Sequence, residues 1–136
     1  MSQAQELVLG GAYLGTLTTG TNASSAAIDT AGYDIAIVGC YVNAVTATGA
    51  LTVKVQECAT SGGSYTDVTG AAFQVFVTAD NGALKTGTLQ IANRLRYLKV
   101  YHATATAGAT VGTMVLLGLK KSPIGGVATG CPYFQV

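Results

Sequence analysis

Between Tyr33 and Cys58 the chain runs YDIAIVGCYVNAVTATGALTVKVQEC, and this stretch restricts the fold more than any other. From Leu51 onward the residues alternate. Leu51, Val53 and Val55 share one parity; Thr52, Lys54 and Gln56 share the other. A period of two marks a β-strand with one buried face. Ile35 to Val45 is apolar on both parities, which calls for a strand covered on both sides. The two halves meet at Ala47-Thr48-Gly49-Ala50, where Gly49 can take the positive φ of a tight turn. The pattern therefore predicts a hairpin. A turn centred on Thr48 and Gly49 sets Val55 opposite Val42 and Val53 opposite Ala44. Val38, Cys40, Val42 and Ala44 then face inward. Ile35, Ile37, Tyr41 and Val45 face outward and need a second cover. A three-residue loop would exchange the two faces. In either register one apolar face is left over.

The same punctuation recurs along the chain. Leu7-Val8-Leu9, followed by Gly10-Gly11, opens an N-terminal strand or arm. Thr19 to Ser25 is small and polar and reads as a loop. After Cys58, Ala59 to Ser64 is a Gly/Ser turn. Short strands are expected at Tyr65 to Val68, at Ala71 to Thr78 (with Phe73, Val75 and Val77 on one parity) and at Thr86 to Ile91. Ala79-Asp80-Asn81-Gly82 is a turn signal between the last two. Leu95 to Thr104 and Val111 to Leu119 are longer strands. Pro123 ends the last of them, because proline has no ladder donor. About eight strands with turns between them describe an all-β, single-domain β-sandwich or jelly roll. The expected division is 1–21 as N-terminal strand or arm, 22–121 as sandwich, and 122–136 as C-terminal arm. That last segment, IGGVATGCPYFQV after Ser122-Pro123, carries glycines for an adaptable path and aromatics that a disordered tail normally lacks.

A chain of 136 residues suits one domain. Charged residues are 10% of it, against about 25% in an ordinary soluble domain. The net charge is +1, so no overall field draws a polyanion. No run reaches the roughly 18–20 apolar residues of a membrane helix. A chain this poor in charge is expected to hide surface against partners. MSQAQELVLG has no basic region ahead of its apolar residues, so no secretory signal is expected. The cysteines Cys40, Cys58 and Cys131 are odd in number and scattered, and the expectation is three reduced thiols. Cys40 and Cys58 fall on opposite faces of the hairpin and cannot bridge.

Catalytic patterns are missing. The single histidine, His102, has no nucleophile elbow to serve. Zinc wants about four grouped ligands, and the Cys and His residues are dispersed. Asp29 with Asp34, or Asp80 with Asn81, fits turn and cap roles better than a calcium loop. No phosphate-cradling glycine motif occurs. These absences predict a protein that is not an enzyme and holds no cofactor or metal. In NRLRYLKVY, Tyr97, Lys99 and Tyr101 share a parity, as a single-strand binder would arrange them, but Arg94 and Arg96 fall on the other. With so little net charge, nucleic acid is not an expected partner.

Three segments in order carry a family resemblance: Ile28-Asp29-Thr30-Ala31-Gly32-Tyr33; then Val53-Lys54-Val55-Gln56-Glu57 with Ser64-Tyr65-Thr66-Asp67-Val68; then Arg94-Leu95-Arg96-Tyr97-Leu98-Lys99-Val100 before a final apolar strand. Over roughly residues 28–119 the chain resembles the cement, or decoration, proteins of tailed-bacteriophage capsids. The resemblance implies a small β-sandwich or jelly roll on the capsid exterior, made in the host cytoplasm. It also implies binding to the major capsid protein, as a dimer or trimer that joins neighbouring subunits. It brings no catalytic residues. The alternative is a phage tail or other virion module that binds a receptor or carbohydrate; the absence of tryptophan counts against sugar stacking. The expected contact residues are Leu7, Leu9, Ile37, Tyr41, Ile124, Val127, Tyr133 and Phe134.

Overall fold

The computed structural model describes residues 7–118 and the backbone of 132–135. The strands are β1 (Leu7–Leu17), β2 (Asn22–Ser24), β3 (Ile28–Asp29), β4 (Ile35–Val45), β5 (Ala50–Cys58), β6 (Thr66–Ala72), β7 (Leu84–Gln90), β8 (Tyr97–Ala105), β9 (Ala109–Gly118) and β10 (Pro132–Gln135). One short 3₁₀ turn, Thr78–Asp80, lies between β6 and β7. The first sheet, A, has the order β1-β9-β4-β7-β10; the second, B, has β2-β8-β5-β6, with β3 also on β8. The pairs nest: β1 with β9, β2 with β8, β4 with β7 and β5 with β6. This nested ribbon, folded over into two sheets, is the double Greek key of a jelly roll. The all-β sandwich expected from the period-two runs is present, with ten described strands rather than eight.

The predicted hairpin is not. β4 and β5 lie in different sheets, and the chain crosses between them at Thr46 to Gly49. β4 sits between β9 and β7, and β5 sits between β8 and β6. Both strands have fully buried faces: Val38, Cys40 and Val42 on one, Leu51 and Val53 on the other. A hairpin would set those side chains edge to edge in one sheet. Stacking the strands removes both apolar faces from water together. The positive φ at the crossing belongs to Thr48, at 65°, and not to Gly49. Gly49 is needed for a different reason: a Cβ there would come within 2.8 Å of the Thr46 carbonyl oxygen.

Face assignments in β4 hold as far as Val42. Beyond it, Val45, expected outward, is buried, and Ala44, expected inward, is half-buried. The register shifts between Val42 and Ala44. There β4 leaves β7 and meets the turn before it: Gly82 N–H donates to the Val42 carbonyl at 2.7 Å, and Val45 N–H donates to Asn81 Oδ1 at 2.6 Å. The extra residue reverses the parity. The expected strand Ala71 to Thr78 is also corrected. Phe73 and Phe76 are buried while Val75 and Val77 are exposed, so the parity of two fails. That segment follows β5 irregularly, with Leu51 and Phe76 exchanging backbone hydrogen bonds at 2.8 Å. The N-terminal segment is a strand, β1, on the edge of sheet A. Ser122 to Cys131 of the expected C-terminal arm lies outside the described residues, and Pro132–Gln135 adds to β7 as β10.

Cys40 points into the core, where burial pushes its thiol up to about 12. Cys58 lies in register with Tyr97, at the outer side of sheet B, and is buried there. Both are free thiols, separated by the sandwich itself rather than by a hairpin. Cys131 lies outside the described residues.

Candidate protein-binding face

Register fixes which side chains share the outer face of sheet A. Four rows run across β1, β9, β4 and β7: Leu7–Gly118–Ile35–Gln90, Leu9–Leu116–Ile37–Thr88, Ala12–Met114–Gly39–Thr86 and Leu14–Gly112–Tyr41–Leu84. None of these residues is charged. Lys85 of β7 stands in register with Cys40, on the opposite parity. Leu9 is 59% exposed, Leu14 84%, Tyr41 45%, Leu84 65% and Met114 48%, values unusual for large apolar side chains that cluster. The expected contact residues Leu7, Leu9, Ile37 and Tyr41 thus fall on one face, although they come from two strands that are not neighbours. Ile124 and Val127 lie outside the described residues. Tyr133 and Phe134 belong to β10 at the margin of the same sheet.

The face is hollowed at its centre. Gly112 lies between Leu14 and Tyr41, and Gly39 lies between Met114 and Thr86. A groove of about 280 Å³ results, bounded by Leu14, Tyr41, Leu84 and Met114. A Cβ on Gly39 would meet nothing within 4 Å, so its small size leaves space on the outside rather than relieving a clash within. Leu14, Leu84 and Met114 were not expected on this surface. The sequence places Met114 and Leu116, with Gly112 and Gly118, on the parity of their strand opposite Val111, Val115 and Leu117. A large apolar residue on that parity was the available signal.

The outer face of sheet B differs. Tyr97, Lys99 and Tyr101 of β8 lie there, as their parity predicted, beside Lys54 and Gln56 of β5 and Asp67 of β6. Lys54 Nζ reaches Asp67 Oδ2 at 2.7 Å, and Gln56 Nε2 donates to Asp67 Oδ1 at 2.8 Å. These two bonds, Lys54's first, hold the Asp67 carboxyl below its usual range. Arg96 grips Asp29 with two hydrogen bonds, Nε to Oδ1 at 2.9 Å and Nη2 to Oδ2 at 2.8 Å, which lower the Asp29 pKa to about 2. Each cation also stands near a ring: Lys54 by Tyr101 at 5.0 Å, Lys99 by Tyr65 at 4.5 Å and Arg96 by Tyr97 at 5.3 Å. Such contacts satisfy the cations within the chain.

His102 is wholly buried between the sheets. Its Nδ1 lies 3.1 Å from the Ala23 carbonyl oxygen, and its Nε2 lies 3.0 Å from Thr113 Oγ1. A carbonyl only accepts, so Nδ1 carries the proton and Nε2 accepts from the threonine hydroxyl. Tyr13 stacks on the ring with centroids 4.4 Å apart. Burial lowers the histidine pKa, partly offset by the bond to Ala23. The neutral ring thereby ties β8 and β2 of sheet B to β9 of sheet A. Among the described residues no three His, Cys, Asp or Glu side chains gather as a metal site.

No protein-family model matches the chain, and no curated protein matches it.

Proposed function

We propose that this protein is a structural, non-enzymatic component of a tailed-phage particle that docks through the outer face of sheet A onto the assembled capsid. The observation that carries the reading is the charge-free apolar face, four strands wide, with five large side chains exposed, four of them around a groove. The size of the face and its rigid sheet suit a preformed partner surface, since little ordering entropy is lost on contact. The sequence resemblance names the major capsid protein as that partner and the shell exterior as the location. A cement protein gains most by touching more than one subunit, because the second contact forms at high effective concentration.

The test is co-sedimentation with expanded capsids. Leu14→Asp and Gly39→Val are the informative variants: the first charges the face, and the second fills the groove where a Cβ meets open space. Both should fold, and both should lose at least tenfold in binding. Full binding by both variants would remove this face from consideration.

The receptor or carbohydrate reading has one observation in its favour, the three tyrosines Tyr65, Tyr97 and Tyr101 on the outer side of sheet B. Each already has a cation of the same chain beside it, which leaves less ring face for a sugar.

A further inference from the structure

We propose that β10 is exchanged between copies of this chain: Pro132–Gln135 of one copy pairs with β7 of a second copy. The occupant of the β7 edge is then a neighbour's strand, and the oligomer is held by strand addition. The inference does not depend on what the outer face of sheet A docks onto.

Three observations lead to it. The first is the edge itself. Without β10, β7 would be the outermost strand of sheet A, a row of unpaired backbone groups that proteins normally guard with charges, proline or a bulge. β7 reads LKTGTLQ and has one charge, Lys85, and no proline. An edge with so little protection needs a strand to cover it.

The second is how loosely β10 is specified on that edge. It pairs in parallel at Pro132 with Thr86 and at Gln135 with Thr88, and the register slips between them. Parallel pairing is slightly weaker per residue than antiparallel pairing. A four-residue strand held this way contributes through its backbone, and any copy's β7 offers the same backbone.

The third is reach. Gly118 stands in register with Ile35, and Ile35 with Gln90, while Pro132 stands in register with Thr86. Three strand spacings across and four residues along put the two ends of the link roughly 20 Å apart. Residues 119–131 extended would span roughly 45 Å. The link is about twice as long as closing onto its own edge requires, so an adjacent edge falls within range. Exchange of an identical element is a low-cost route to an oligomer because the contact already exists in one chain. Leu84 stands on β7 at the end of the Leu14–Gly112–Tyr41–Leu84 row.

The test is a disulfide that can form only between chains. One full-length chain carries Thr88→Cys and an affinity tag; the other carries Gln135→Cys and no tag. Both carry Cys131→Ser, and Cys40 and Cys58 stay as buried thiols. The two are unfolded, mixed, refolded together and oxidised. Exchange predicts a covalent heterodimer on a non-reducing gel, released by reductant. A single chain bearing both substitutions serves as the comparison. Closure of an internal bridge there, with no heterodimer in the mixture, would overturn the proposal, as would the failure of any bridge in either sample. A mixture of Thr52→Cys and Gln135→Cys chains must give no covalent heterodimer, since Thr52 lies on sheet B. An equal heterodimer yield from that pair would mean random collision and would also count against exchange.

Discussion

The two outer faces of the sandwich are built from the same kind of strand and have opposite chemistry. On sheet B, Asp67 takes Lys54 and Gln56, Asp29 takes Arg96, and Lys99 stands over Tyr65. The polar groups of that face find partners within the chain. On sheet A, Leu9, Leu14, Tyr41, Leu84 and Met114 stand exposed without a charge among them. Water is a poor solvent for such a cluster, and nothing on the described surface of sheet B complements it. Lys54, Asp67, Asp29, Arg96 and Lys99 stand on the sheet B side, and none of the residues in the four rows on the other is charged. The difference teaches that low charge content is not spread evenly: it leaves one described face without a charge.

The sharpest test of the comparison uses neighbouring residues on one strand. Met114 and Val115 point to opposite sides of β9, the first 48% exposed and the second 2%. Val115→Asp buries an unpaired charge between the sheets and should cost several kcal/mol, enough to abolish a cooperative melting transition. Met114→Asp should change stability by no more than about 0.5 kcal/mol, as surface substitutions generally do, and should lower capsid co-sedimentation at least tenfold. Equal loss of folding in both variants would show that the face is part of the core.

Next in size is the histidine between the sheets. His102→Phe leaves the Ala23 carbonyl and the Thr113 hydroxyl without their partner, at about 1–3 kcal/mol for each group left buried and unsatisfied. Urea unfolding measures the loss. The same residue sets a pH dependence. Its folded pKa lies below the unfolded value of 6.5, so the unfolded chain takes the proton first. Stability should fall as pH drops below about 6.5, and the variant should lack that slope. The carboxylates of the sheet B face act in a separate window. Asp29 is depressed from 3.8 to about 2, and its contribution is lost only as pH falls through that range. Urea midpoints at pH 7, 5 and 3 separate the two; an unchanged midpoint between pH 7 and 5 would contradict the buried, neutral ring.

The smallest effect belongs to the paired charges. Lys54→Ala removes an exposed ion pair worth no more than about 1 kcal/mol and should leave capsid binding intact. Arg96→Lys loses the two-pronged grip on Asp29, and the deficit should vanish in 1 M salt, where the screening length is about 3 Å. Capsid binding that falls tenfold in the Lys54→Ala variant would move the interface to sheet B.

Strand identity and side-chain parity were legible wherever the ladder is regular. In β8 the alternation of Leu98, Val100 and His102 against Tyr97, Lys99 and Tyr101 is the alternation of buried and outer positions. In β4 the same logic held for Val38, Cys40 and Val42 and failed at Val45, because one extra residue at a register shift reverses everything after it. On the apolar face of sheet A, Ile37 and Tyr41 were legible as surplus apolar positions, and Leu7 and Leu9 as apolar residues of an N-terminal strand or arm. Leu14, Leu84 and Met114 were not, because each alone is an unremarkable apolar residue.

By itself the sequence determined the period-two content, the all-β class, the absence of a catalytic pattern and the existence of one apolar face too many. Those are properties of residues near one another along the chain, and a repeat of two is enough to express them. The tertiary structure decided which strands became neighbours. β4 and β5 parted into different sheets although only four residues separate them, while Leu9 and Leu116, near opposite ends of the described chain, came into register. Pairing of that kind is chosen by the whole set of buried faces at once, since each strand must cover another's apolar side and no short window contains both. The exposed apolar face is a product of that choice: its rows join β1, β9, β4 and β7, which adjoin one another only in the folded sheet.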